Sequence, residues 1–137
     1  MKSLVCALLF SVALAAQAAP NYSGKWTIQG GARGGGRGGG PTLTINQVGA
    51  AVTGELAGGG GGGGGSAAPI NNELYDGKVE NGAISFYVWR GSDKPYKTIY
   101  KGTMNAAGDE ISFTVSGMPA RGGGTAAPQT ITAKRAK

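Results

Sequence analysis

Leu74-Tyr-Asp-Gly-Lys-Val-Glu-Asn-Gly-Ala-Ile-Ser-Phe-Tyr-Val-Trp89 is the most legible part of this chain. Apolar and polar residues alternate on both sides of Asn81-Gly82, which is the period of a strand with one buried face. Asn-Gly suits a two-residue hairpin turn, because both central residues of that turn take positive φ. The turn pairs Val79 with Ile84. Tyr75, Gly77, Val79, Ile84, Phe86 and Val88 then share one inward face, and Lys78, Glu80 and Ser85 share the other.

The same pattern returns downstream. Tyr100-x-Gly102-x-Met104 leads through a turn to Ile111-Ser-Phe113-x-Val115, and Leu43-x-Ile45 leads to Val52-x-Gly54-x-Leu56 as a looser copy. Each unit is one β-hairpin. Period-two alternation predicts strands over residues 23–29, 42–47, 51–56, 74–80, 83–89, 96–105, 110–116 and 129–135. No segment after the first residues shows helical periodicity.

Glycine runs punctuate these strands: residues 58–65 are all glycine, residues 30–40 are glycine with Ala32, Arg33 and Arg37, and Arg121 precedes three more. Glycine loses the most conformational entropy on ordering and buries no side chain, so these runs are loops. Connections alternate along the chain. Short turns lie near residues 48–50, 81–82 and 106–109, and longer loops, three of them glycine-rich, lie between the other strands. In an up-and-down meander alternate connections fall at opposite ends, so the glycine loops gather on one rim. Eight such strands suit an all-β, antiparallel, closed barrel, which also removes exposed edges.

The N-terminus reads as an address. Lys2 precedes an apolar run from Leu4 to Ala16 that is too short to span a bilayer, and Ala16-Gln17-Ala18 is a small-x-small cleavage signal. Residues 1–18 are expected to be a secretory signal peptide, with a single barrel domain over 19–137 carrying glycine-rich loops at 30–40, 58–69 and 117–127. No transmembrane segment is expected after cleavage. The one cysteine, Cys6, leaves with the leader, so a periplasmic or extracellular protein without disulfides is expected. The formal charge of +6 falls by one when Lys2 is removed. A basic secreted protein suits polyanions such as acidic polysaccharide.

Gly24-Lys25-Trp26, at the start of the first strand, resembles the Gly-x-Trp signature of lipocalins, and avidin-like barrels open similarly. The resemblance implies a calycin-type small secreted barrel. It also implies a basic residue late in the last strand packed on the Trp at the closed end, where Lys134 and Arg135 stand here. Strand parity agrees: with Ile131 inward, Arg135 is inward on the side of Trp26, giving a structural pair Trp26–Arg135. The chain is shorter than lipocalins and lacks their disulfide and C-terminal helix.

Catalytic chemistry is sparse. There is no histidine, and the cleaved chain has no cysteine, which removes the usual general base, the thiol nucleophile and the commonest metal ligands. No enzyme activity, metal or cofactor is expected. Glu73 and Asp93 are the nearest approach to a carboxylate pair near the loop end. The Gly-x-Gly-x-x-Gly matches within residues 30–40 have no helix after them, so they do not form a dinucleotide site. Arg33, Arg37 and Arg121 in their glycine settings resemble RGG segments, but no aromatics interleave and secretion argues against a specific nucleic-acid partner. They are instead candidates for contacting polyanions. At the open end Tyr75, Tyr96 and Tyr100 are expected inward, with Trp89 and Arg90 at the mouth, as a site for a small apolar or amphipathic ligand. The competing expectation is a barrel filled by its own side chains, acting as a structural or interaction domain.

Overall fold

The computed structural model describes residues 19–29, 40–58, 71–120 and 122–137. Residues 1–18, most of the first two glycine-rich loops, and Arg33, Arg37 and Arg121 lie outside the described residues. Eight strands run in order: β1 (Gly24–Gln29), β2 (Thr42–Val48), β3 (Ala51–Ala57), β4 (Tyr75–Glu80), β5 (Ala83–Arg90), β6 (Tyr96–Met104), β7 (Glu110–Ser116) and β8 (Gln129–Arg135). Each pairs antiparallel with its sequence neighbour, and β8 pairs with β1, so the sheet closes into an up-and-down barrel. Among the described residues there is no helix.

Closure follows from the alternation. The inward positions of the strands, including Ile28, Leu43, Leu56, Ile84, Val88, Ile111, Phe113 and Ala133, form one core inside the ring. Asn81 and Gly82 take φ of 50° and 76°, and the turn they form puts Val79 opposite Ile84. Gly102 faces Phe113 across β6–β7, and a Cβ there would sit 2.6 Å from Phe113 Cδ1. The missing side chain makes room for the ring, which packs edge-on to Phe86 and Tyr100.

The sheet is least regular between β3 and β4. Their ladder is short, joined by an isolated bridge from Glu55 to Glu73. The β4–β5 register shifts between Tyr75 and Lys78, where Asp76 takes a positive φ of 48°. From Val79 back to Tyr75 is one residue more than from Ile84 on to Tyr87, so Tyr75 lands opposite Tyr87 on the outer face. This bulge reverses the inward placement that unbroken alternation predicts for Tyr75.

The third glycine run has structure of its own. Its described residues, 117–120 and 122–127, are joined by a bridge from Pro119 to Thr125 and a hydrogen bond from Ala126 N to Met118 O at 2.7 Å. Gly122, Gly123 and Gly124 all take positive φ, which supplies its turn. Met118 packs against the barrel core.

Candidate functional site

Two environments lie at the loop end, divided by the sheet. On the inside, β5 and β6 present Arg90 opposite Tyr96, Val88 opposite Thr98 and Phe86 opposite Tyr100. Strand parity carries Arg90 inward with Val88 and Phe86, and it is 7% exposed. Its Nη2 donates to the Tyr100 hydroxyl at 2.9 Å. The guanidinium thus reaches across the Val88–Thr98 row toward the Phe86–Tyr100 row. Tyr100 stacks on Phe86 with ring centroids 5.0 Å apart, which holds its hydroxyl in place.

Two further hydroxyls share this interior region. Thr98 is 1% exposed, and its Oγ1 has no hydrogen-bond partner; the buried hydroxyl of Tyr96 has none either. Buried hydroxyls are normally satisfied, because leaving one without a partner costs about 1–3 kcal/mol. Arg90, Tyr96 and Tyr100 therefore share the inner face of the loop-end half, together with Thr98, which the sequence pattern alone does not single out. The signal for Thr98 is its parity with Tyr96 and Tyr100 on one strand.

Tyr75 and Trp89 belong to the other environment. Tyr75 stacks on Tyr87 at 5.4 Å, Tyr87 meets Trp89 edge-on at 6.0 Å, and Lys97 Nζ lies 4.3 Å and 5.2 Å from the Tyr87 and Trp89 rings. This ladder lies on the outer surface, beside Ile99, which is 38% exposed. The bulge at Asp76 turns Tyr75 outward, and Trp89 is outward because Val88 and Arg90 on either side of it are inward. Neither lines the barrel interior. Asn71 Nδ2 donates to the Tyr75 hydroxyl at 2.6 Å, and that hydroxyl is 3.3 Å from Glu73 Oε2. Glu73 and Asp93 are exposed and engage neighbours in their own loops, Asp93 through Ser92. Among the described residues no cluster of acidic, histidine or cysteine side chains forms a metal-binding group, and no helix is long and apolar enough to cross a membrane.

The opposite end is sewn shut. Arg135 Cζ lies 4.2 Å from the Trp26 ring centroid, and its guanidinium donates to the carbonyls of Gly108 at 2.9 Å, Ser23 at 2.8 Å and Asn21 at 3.3 Å. Gly24 takes φ +132°, and a Cβ there would lie 2.8 Å from Arg135 Nη1, so both conformation and space call for glycine beside the Trp. Trp26 Nε1 donates to Tyr22 O at 2.9 Å. Tyr22, which the sequence pattern does not reveal, is fully buried; its hydroxyl donates to Gly82 O at 2.7 Å and accepts from Met104 N at 3.2 Å. Tyr22 precedes the first strand, so no alternation marks it. Burial raises its phenol above the ordinary value of 10.0, against the opposing pull of backbone groups at Met104 and Ile84.

Comparison with protein-family models, curated proteins and solved structures finds no match to this chain.

Proposed function

We propose that this protein is a secreted, non-catalytic, lipocalin-like barrel that binds a small apolar or amphipathic ligand in its loop-end half. The observation that supports it best is the pair of partnerless buried hydroxyls, Thr98 Oγ1 and Tyr96 Oη, on the inner face of β6. A barrel filled for stability alone would carry apolar side chains there, as it does around Leu43, Leu56, Ile111 and Phe113. A ligand with polar atoms at that depth satisfies both hydroxyls. The sealed Trp26–Arg135 end makes the loop end the entrance.

Native mass spectrometry of the protein, purified from cells that secrete it, tests this proposal. A retained small molecule, lost in Thr98→Val or Tyr96→Phe, supports it. A bare polypeptide mass, together with no binding of single-chain amphiphiles added to the protein, overturns it.

A second reading keeps the barrel as a scaffold that contacts acidic polysaccharide or another polyanion. It is favoured by the outer aromatic ladder of Tyr75, Tyr87 and Trp89 under Lys97. Retention on an anionic matrix that weakens with salt and falls in Lys97→Ala favours this second reading.

A further inference from the structure

We infer that the outer wall of β5, β6 and β7 takes an extended acidic polysaccharide, laid along β6 with Lys97 and Lys101 as its two cationic contacts. This rests on the second reading above, that the barrel meets polyanions. It adds which wall, which residues and which class of polymer.

The register sets out the wall row by row. Trp89 pairs with Lys97, and Tyr87 pairs with Ile99, which pairs with Ser116. Ser85 pairs with Lys101, Lys101 with Thr114, and Thr114 with Thr130. On β5, β6 and β7 these residues face out, because Phe86, Val88, Thr98, Tyr100 and Val115 beside them are buried. No carboxylate stands in these rows. Glu73 and Asp76 lie on the β4 side, beyond Tyr75 or in the bulge, and Asp93 sits in the loop above, engaged by Ser92. Lys97 and Lys101 are exposed, and neither pairs with a carboxylate among the described residues, whereas Lys78 and Lys134 lie 2.9 Å and 4.0 Å from Glu80 and Glu110. Charge of one sign left uncompensated along a wall draws a polyanion.

The spacing selects a polymer. Four residues of strand put Lys97 and Lys101 about 13 Å apart along β6. Ile99 stands between them and is 38% exposed. The order along the strand is cation, apolar step, cation. It matches acidic groups recurring along one chain, with the apolar C–H surface of sugar rings between them. Lys97 is also held in place: its Nζ lies 4.3 Å and 5.2 Å from the Tyr87 and Trp89 ring centroids, which lowers the cost of ordering it around a ligand.

The uncharged groups favour sugar over other polyanions. Ser85, Thr114, Ser116 and Thr130 surround the two lysines with hydroxyls. Tyr87 and Trp89 are half-buried, and the Tyr87 hydroxyl and the Trp89 indole N–H make no hydrogen bond among the described residues. Such groups exchange donor and acceptor bonds with sugar hydroxyls. A nucleic-acid base needs an open aromatic face. Tyr87 stands between Tyr75, stacked on it from β4, and Lys97, over it from β6. Docking into a bilayer would strip water from the same hydroxyls.

Titration calorimetry of the full secreted chain with galacturonic acid and its linear hexamer tests this. The hexamer is expected to bind at least tenfold more tightly than the monomer, and to weaken as salt rises. Its fully methyl-esterified form, which keeps the rings and lacks the charges, is expected to bind at least tenfold more weakly. Lys97→Gln and Lys101→Gln should each weaken the hexamer about threefold to fivefold, and Lys97→Arg should retain it. Lys134→Gln removes the same charge near the closed end and should change nothing; all three lysines are exposed, so the core is kept. Equal weakening in the three Gln variants overturns the wall while leaving a polyanion-binding barrel. Monomer binding as tight as that of the hexamer overturns the polymer. Oligothymidylate or phosphatidylglycerol vesicles binding as tightly as the hexamer, or more tightly, overturns the polysaccharide in favour of nucleic acid or an anionic bilayer. Failure of hexamer, oligothymidylate and vesicles alike overturns the polyanion reading itself.

Discussion

Arg135 lies across the ring of Trp26, its guanidinium carbon 4.2 Å from the ring centroid, in the same register that pairs the first and last strands. The contact that caps the closed end is therefore also the contact that closes the barrel. Cation–π attraction and three hydrogen bonds to backbone carbonyls meet on this one side chain. Arg135→Met is expected to cost about 2–4 kcal/mol. Gly24→Ala should cost about 1–3 kcal/mol through its positive φ. Urea unfolding midpoints measure both; an Arg135→Met midpoint equal to that of the wild type would rule out the seal as a source of stability.

Gly102→Ala places a methyl group 2.6 Å from Phe113 Cδ1 and 2.9 Å from Ser112 O. The ring has to move, and it is in contact with Phe86 and Tyr100. A loss of about 1–3 kcal/mol is expected. Gly49→Asn serves as a control at a turn: nothing lies within 4 Å of a Cβ there, and Asn tolerates the φ of +62°. Equal thermal shifts for the two variants would refute the overpacking account.

Thr98→Val separates stability from binding. The substitution keeps the shape and removes a buried hydroxyl that has no partner. In the empty barrel it is expected to be neutral or to stabilise by about 1 kcal/mol. The same change should weaken binding of single-chain amphiphiles severalfold. Calorimetric melting and titration of one preparation read both effects. A clear destabilisation of the empty barrel would mean that the hydroxyl is satisfied after all.

Tyr22 gives a pH dependence with a definite sign. Burial raises its phenol above 10.0, so as pH rises the unfolded chain ionises at this residue before the folded chain does. The stability tied to this proton is whole below pH 10.0 and is lost as pH climbs through the raised folded value. The wild-type melting temperature should therefore fall more steeply than that of Tyr22→Phe between about pH 9 and about pH 11. At neutral pH Tyr22→Phe should cost about 1–3 kcal/mol, because Gly82 O and Met104 N lose the same partner. Parallel melting curves for the two proteins across that range would disprove the assignment.

Tyr75→Ala tests which face of the sheet that residue serves. It removes a ring stacked at 5.4 Å on Tyr87, with an expected loss of about 0.5–1.5 kcal/mol beyond the area exposed. Binding of single-chain amphiphiles should stay at the wild-type level, because the ring is outside the barrel. A large loss of binding in this variant, measured beside Tyr100→Phe, would place the ligand on the outer ladder instead.

Strand order, the up-and-down topology and the hairpin at Asn81-Gly82 are all legible in the amino-acid sequence. Each depends on local physics: the two-residue period of a pleated strand, the positive φ of 50° and 76° at Asn81 and Gly82, and the alternation of connections in a meander. The inward placement of Tyr96 and Tyr100 follows from the same period. That of Tyr75 does not, because a bulge is a count of one strand against its partner and has no meaning within one strand. Tyr22 escapes because it lies outside the alternating pattern and is buried only where the chain start crosses the closed end. Sequence alone thus determined the barrel and its polarity, since those arise from short-range periodicity. Tertiary structure alone decided that Arg90 is buried with Tyr100, that Thr98 and Tyr96 hold hydroxyls without partners, and that Tyr75 and Trp89 face out, since each depends on which strand lies alongside and in what register.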